Sequence, residues 1–146
     1  MGEEPMSIEA IKTGPTGRTM LLPAEEVAEY EELVASIQQK FWPDTYLEKM
    51  LAQAIIDHEW RLRRSSKLRE ALYTLGRREL AGTSASEAEI DSQVLVRFSK
   101  DFKQLAQQER FLQKRLEQDT AELNRLLRDN PKSRRGLFLV PKPRKS

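Results

Sequence analysis

The sequence predicts an all-α protein: a long antiparallel helical hairpin with a coiled-coil-like seam, buttressed by a shorter N-terminal helix and oligomerising as a bundle. Three observations predict it. The run from Ser86 to Asp129 contains no Gly or Pro and repeats its apolar residues at helical spacing, which reads as one helix on the order of 65 Å long at about 1.5 Å per residue. A second periodic run, from Asp44 to Ala81, precedes it across a turn at Gly82. A third and shorter stripe lies between Pro23 and Trp42. In a chain of 146 residues a helix of that length cannot be enclosed, so part of its seam must meet another copy or another molecule.

Residues 1–22 are predicted to be an irregular arm, because Gly14, Pro15 and Gly17 break any helix there. Pro23 suits the first turn of a helix over 23–42, and Glu25 and Glu26 complement its N-terminal dipole. Val27, Tyr30, Val34, Ile37 and Phe41 recur at spacings of 3 and 4, and Pro43 ends the element. The second helix, over 44–81, opens on a capping box of Thr45 with Glu48. Its buried arc is Leu47, Leu51, Ala54, Ile55, His58, Leu62, Leu72 and Tyr73. Gly76 costs about 1 kcal/mol against Ala without breaking it, and Gly82 stops it.

Ser86 with Glu89 forms another capping box and opens the third helix, over 86–129. Its heptad seam runs through Leu95, Phe102, Glu109, Leu116 and Leu123, alternating with Phe98, Leu105, Leu112, Asp119 and Leu126. The helices span one elongated domain, 23–130, and the segment 131–146 is predicted to be a basic, Pro-rich flexible tail. Folding the second helix back on the third places opposite each other residues whose numbers sum to about 168. The first helix covers only the half of that pair nearest Pro43. The other half exposes Leu68, Leu72, Tyr73, Leu75, Ile90, Val94 and Phe98, the expected interface of a dimer or higher homo-oligomer.

Composition bounds the function. Apolar residues make up 38 % and charged residues 33 %, respectively below and above the globular norm, as long solvated helices around a thin core require. Cysteine is absent, which excludes a disulfide framework and a thiolate nucleophile and points to a cytoplasmic protein. No apolar stretch is long enough to span a bilayer and no secretory leader is visible. Net charge is only +2, yet its distribution is polarised: 24–58 carries −6, 60–78 carries +6, and the tail from Pro131 adds another +6.

Four constellations carry candidate chemistry. His58, the single histidine, falls on an apolar arc, while its neighbours Asp57 and Glu59 diverge by about 100° around the helix and cannot chelate with it. The facing rule puts Glu109 opposite His58, and a buried His58–Glu109 pair that sets register explains both polar residues better than a metal or catalytic site. Trp60, Arg63, Arg64 and Lys67 lie within about 100° of one another, an arrangement that can stack a base on the indole while the cations neutralise phosphates. Two ordinary alternatives compete: Trp60 buried under the first helix or a partner subunit, or the cations paired with the acidic first helix. The tail residues Arg134, Arg135, Lys142, Arg144 and Lys145 make either a phosphate-binding arm or a solubilising end, and Leu137–Val140 among them is a candidate docking strand. Gly14-Pro15-Thr16-Gly17-Arg18-Thr19 has the wrong glycine spacing for a phosphate loop; a plain turn, or an arm pinned by Arg18 to something acidic, is expected instead. Asp119 is either a further polar register device or the point where the seam widens.

The pattern Thr13-Gly14-x-Thr16-Gly17-Arg18-Thr19-Met20-Leu21-Leu22-Pro23, followed by an acidic helix, Trp60-Arg61-Leu62-Arg63-Arg64 and Leu72-Tyr73-x-Leu75-Gly76, resembles an uncharacterised family of short all-helical proteins of soil bacteria. The resemblance covers roughly residues 11–127. It implies an all-helical fold and carries no activity, cofactor or catalytic residue. Many members have a longer basic segment upstream, where this sequence has the acidic stretch Met1 to Met6, so whatever that segment binds is expected to be missing.

The functional expectation is a non-enzymatic, self-associating helical protein that presents basic surfaces to nucleic acid. The alternative is a protein–protein adaptor or assembly subunit. With one histidine, no cysteine and no Gly-rich cofactor loop, neither a metal nor a cofactor is expected.

Overall fold

The computed structural model describes residues 8–12, 14–83 and 86–130. The fold is mostly helical. In chain order it contains β1 (Ile8–Lys12), β2 (Thr19–Pro23), α1 (Ala24–Phe41), α2 (Tyr46–Glu79), α3 (Glu87–Arg97) and α4 (Ser99–Asp129). The described residues group into two compact units. One takes in residues up to Trp60 and from Leu116 onward; the other is Arg61–Arg115.

The first unit contains the main core. Tyr30, Leu33, Val34, Ile37 and Phe41 of α1 bury against Ala52, Ile55, Ile56 and Trp60 of α2 and Leu123 of α4. Because α1 repeats its apolar residues every three to four positions, one of its faces carries all five. The helix ends at Trp42, whose left-handed backbone (φ 47°) is a costly state for a bulky residue. Pro43 supplies the cause, since it disfavours helical geometry in the residue before it.

Part of the arm expected to be irregular is an antiparallel β-hairpin. Ile8 pairs with Pro23 and Lys12 with Thr19. The breakers are its turn: the Gly17 N–H donates to the Gly14 carbonyl at 3.1 Å, with Pro15 second in the four-residue turn. Both glycines have positive φ, which is the freedom the turn requires. Ile11 and Leu22 are buried in the core and Leu21, on the opposite face, is exposed. Five-residue strands are too short for alternation to stand out against a helix-rich background.

Both capping boxes form. The Glu48 N–H donates to Thr45 Oγ1 at 3.2 Å and the Thr45 N–H donates back to Glu48 Oε1 at 3.3 Å, which also accepts from the Asp44 N–H at 2.8 Å. The Ser86 N–H donates to Glu89 Oε1 and the Glu89 N–H to Ser86 Oγ. The long third helix, however, is interrupted. Phe98 takes φ −105° and ψ 28° between α3 and α4, while its N–H still donates to the Val94 carbonyl at 2.9 Å.

In the second unit side chains of α2 meet side chains of α3 and of the first part of α4. Arg77 pairs with Asp91, Tyr73 with Phe102 and Ser65 with Glu109. Asp91 sits where the facing rule puts it, whereas Phe102 and Glu109 lie several residues farther along. The change falls between Val94 and Phe102, the stretch that contains the departure at Phe98. Few side chains of this unit are fully covered, chiefly Val94, Leu105 and Leu112.

Candidate interaction surfaces

The Trp60 constellation is the sharpest site read from the sequence, and the structure removes its aromatic. Trp60 is 5 % exposed. Its ring stands nearly perpendicular to that of Tyr30 with centroids 5.2 Å apart, the edge-to-face arrangement that aromatic quadrupoles favour. A base has no access to the indole. The helical spacing that groups Trp60 with the cations says nothing of α1, which covers it. Arg63 is half-buried in the second unit, while Arg64 and Lys67 are exposed there; all three engage other groups.

The expected His58–Glu109 pair does not form. His58 Nε2 donates to Asp119 Oδ2 at 3.0 Å within the first unit, both side chains largely buried. Glu109 is held in the second unit by the Ser65 hydroxyl at 2.6 Å and by the Arg69 guanidinium. The Arg69 bond, reinforced by the Ser65 hydroxyl and the Arg69 charge, keeps the Glu109 carboxyl below the usual carboxylate range, with partial burial opposing. The two polar breaks in the apolar seam therefore serve two separate pairs, because the register differs from the one that a constant sum assumes.

The hairpin turn that superficially matches a phosphate loop is clasped by its own unit. Arg18 pairs with Asp57, Thr16 Oγ1 donates to Gln53 Oε1 at 3.1 Å, and Gln53 Nε2 donates to Asp57 at 3.2 Å. Gly14 packs so tightly on Gln53 that a Cβ there would fall 2.5 Å from Oε1. The turn is thus occupied as a structural clasp. Among the described residues no three of His, Asp and Glu group so as to hold a metal ion, and none of their helices is long and apolar enough to cross a membrane.

No protein-family model, no curated protein and no solved structure matches this chain. Its own surface therefore carries the functional argument.

In the second unit several large apolar side chains reach that surface. Leu68 is 56 % and Leu75 41 % exposed, and Leu95, Val96 and Phe111 are exposed as well. Of the seven residues expected to form the oligomer interface, Leu68 and Leu75 are the two on the surface. Val94 is fully buried over Gly76 and cannot take part. Tyr73 packs on Phe102 at 5.0 Å, Phe98 lies half-buried under Arg97, and Ile90 is half-buried. Leu72 is half-buried and, with Leu68 and Leu105, lines a groove of about 290 Å³. Val96 and Phe111 were missed because each adjoins a seam residue and lies about 100° off its face.

The first unit has its own apolar patch at the start of α2, where Tyr46, Leu47 and Met50 are exposed. Leu47 was expected on the buried arc and is 53 % exposed, because in this first turn Glu48 points inward as the cap. Beside it is a cavity of about 440 Å³ lined by Pro15, Ala35, Gln38, Gln39, Trp42, Pro43 and Lys49. The tail cations Arg134, Arg135, Lys142, Arg144 and Lys145, and the segment Leu137–Val140, lie outside the described residues.

Proposed function

We propose that this chain is a non-enzymatic helical binding protein that self-associates and works as a protein–protein adaptor or assembly subunit. The observation that carries the reading is the second unit's imbalance: Leu68, Leu75, Leu95, Val96 and Phe111 lie exposed around a core of little more than Val94, Leu105 and Leu112. Leu68 and Leu75 flank the half-buried Leu72 on one face of α2, and a contiguous exposed apolar stripe marks an association surface. An all-helical bundle assembled from several copies, with coiled-coil-like packing, would cover it. The family resemblance in the Gly14–Pro23 and Trp60–Arg64 segments is compatible with this reading and adds no activity to it.

Sedimentation velocity over a wide concentration range tests the proposal. Mass should rise to a defined oligomer with little dependence on salt. A folded monomer at every concentration would remove it.

Nucleic-acid contact is a second reading, favoured by the run of cations along α2 from Arg61 to Arg78 and by the basic tail. With Trp60 buried, such binding depends on phosphates alone and carries no base stacking. Its affinity should then fall with salt at a log–log slope of about −0.9 per phosphate neutralised on duplex DNA. Fluorescence anisotropy with duplex DNA at about 50 mM salt is the check, since phosphate contacts are strong there.

A further inference from the structure

We propose that the stripe Leu68–Leu72–Leu75 is where two copies of this chain meet, with their α2 helices antiparallel about a two-fold axis near Leu72. The inference rests on the self-association reading above and supplies its face and its direction.

Spacings of four and three residues put the three leucines within about 60° of one another on α2. Leu68 and Leu75 project into solvent, and Leu72 forms one wall of the groove whose buried member is Leu105. Asp101, Gln104 and Gln108 make the groove's polar side, so an apolar side chain can enter from the leucine edge. That combination of protruding leucines and an adjoining apolar recess is self-complementary, which an isologous two-fold contact requires.

Charge chooses the direction. On the same side of α2 the stripe is continued toward the N-terminus by Arg61 and Arg64 and toward the C-terminus by Glu79. A parallel pairing would set Arg61 and Arg64 against the same residues of the second copy, placing like charges together. An antiparallel pairing brings Leu68 against Leu75 of the second copy and Arg64 against its Glu79, once on each side of the axis. Glu79 already accepts from Arg97 at 2.9 Å on the surface, and a carboxylate has lone pairs for a second guanidinium. Complementary charges at the rim set register and direction around an apolar centre.

The chain contains no cysteine, so single-cysteine variants report the arrangement directly. Under mild oxidation Leu72→Cys should cross-link with itself. Leu68→Cys and Leu75→Cys should each cross-link poorly alone and efficiently when mixed, with circular dichroism confirming helix content in every variant. Leu68→Glu should raise the dissociation constant at least about tenfold without loss of helix. Self-linking by both Leu68→Cys and Leu75→Cys, with no gain on mixing, would establish a parallel pairing and overturn the direction. A wild-type oligomer that none of these variants cross-links and that Leu68→Glu leaves intact would overturn the face while leaving self-association standing. A wild-type monomer would overturn both.

Discussion

Gly76 packs against Val94 so closely that a methyl group on its Cα would sit 2.6 Å from Val94 Cγ2. Propensity alone would have Gly76→Ala stabilise α2 by about 1 kcal/mol. The contact reverses the sign, since forcing extra volume into a packed site costs about 1–3 kcal/mol. Urea unfolding should show Gly76→Ala destabilised and the Gly76→Ala/Val94→Ala pair less destabilised than the two single changes added together. A raised midpoint for Gly76→Ala would refute the packing argument.

Burial of Trp60 against Tyr30 predicts that Trp60→Ala costs about 3–5 kcal/mol, the range for large aromatics in a core. In a Trp42→Phe background, Trp60 emission should be blue-shifted, resist iodide quenching and stay unchanged on adding DNA. Efficient quenching in the folded protein would return Trp60 to the surface and restore the stacking reading.

The His58–Asp119 bond predicts energetic coupling between those two residues and none between His58 and Glu109. A double-mutant cycle with alanine at 58 and 119 should give an interaction of about 0.5–3 kcal/mol, the range for contacting polar pairs. The corresponding cycle with Glu109 should close to within about 0.5 kcal/mol, as for independent sites. The reverse pattern would reinstate the simple facing register.

Glu109 makes stability depend on pH in a defined sense. Its folded-state pKa is depressed, chiefly by Arg69, so the stabilisation is complete above the unfolded value near 4.5 and is lost as pH falls through the lower folded value. Glu109→Gln should therefore be less stable than the parent around neutral pH, and the gap should narrow below about pH 4.5. A gap that stays constant or widens on acidification would exclude the ionised pair.

At the hairpin turn, Gly14→Ala should destabilise more than Gly17→Ala. Both positions have positive φ, but only Gly14 meets a side chain, Gln53, at the place where a Cβ would go. Gly17→Ala should lose about 1–2 kcal/mol, the left-handed backbone cost alone. Equal losses in thermal unfolding would mean that the Gln53 clasp contributes nothing.

Sequence by itself determined the helical class, the α1 core stripe and both capping boxes, and it located the ends of α1 and α2 to within two residues. Those features depend on residues within a turn or two of one another: Thr45 reaches Glu48, Ser86 reaches Glu89, and Pro43 acts on Trp42. The tertiary structure alone decided that Tyr30 covers Trp60, that Asp119 takes His58, that Val94 rides on Gly76 while its neighbour Leu95 faces out, and that the glycine turn closes a β-hairpin. Each of these joins segments far apart in the chain. Helical periodicity specifies which face of an element is apolar, but the register between two faces depends on every distortion between them, and the departure at Phe98 lies on the stretch where that register changes.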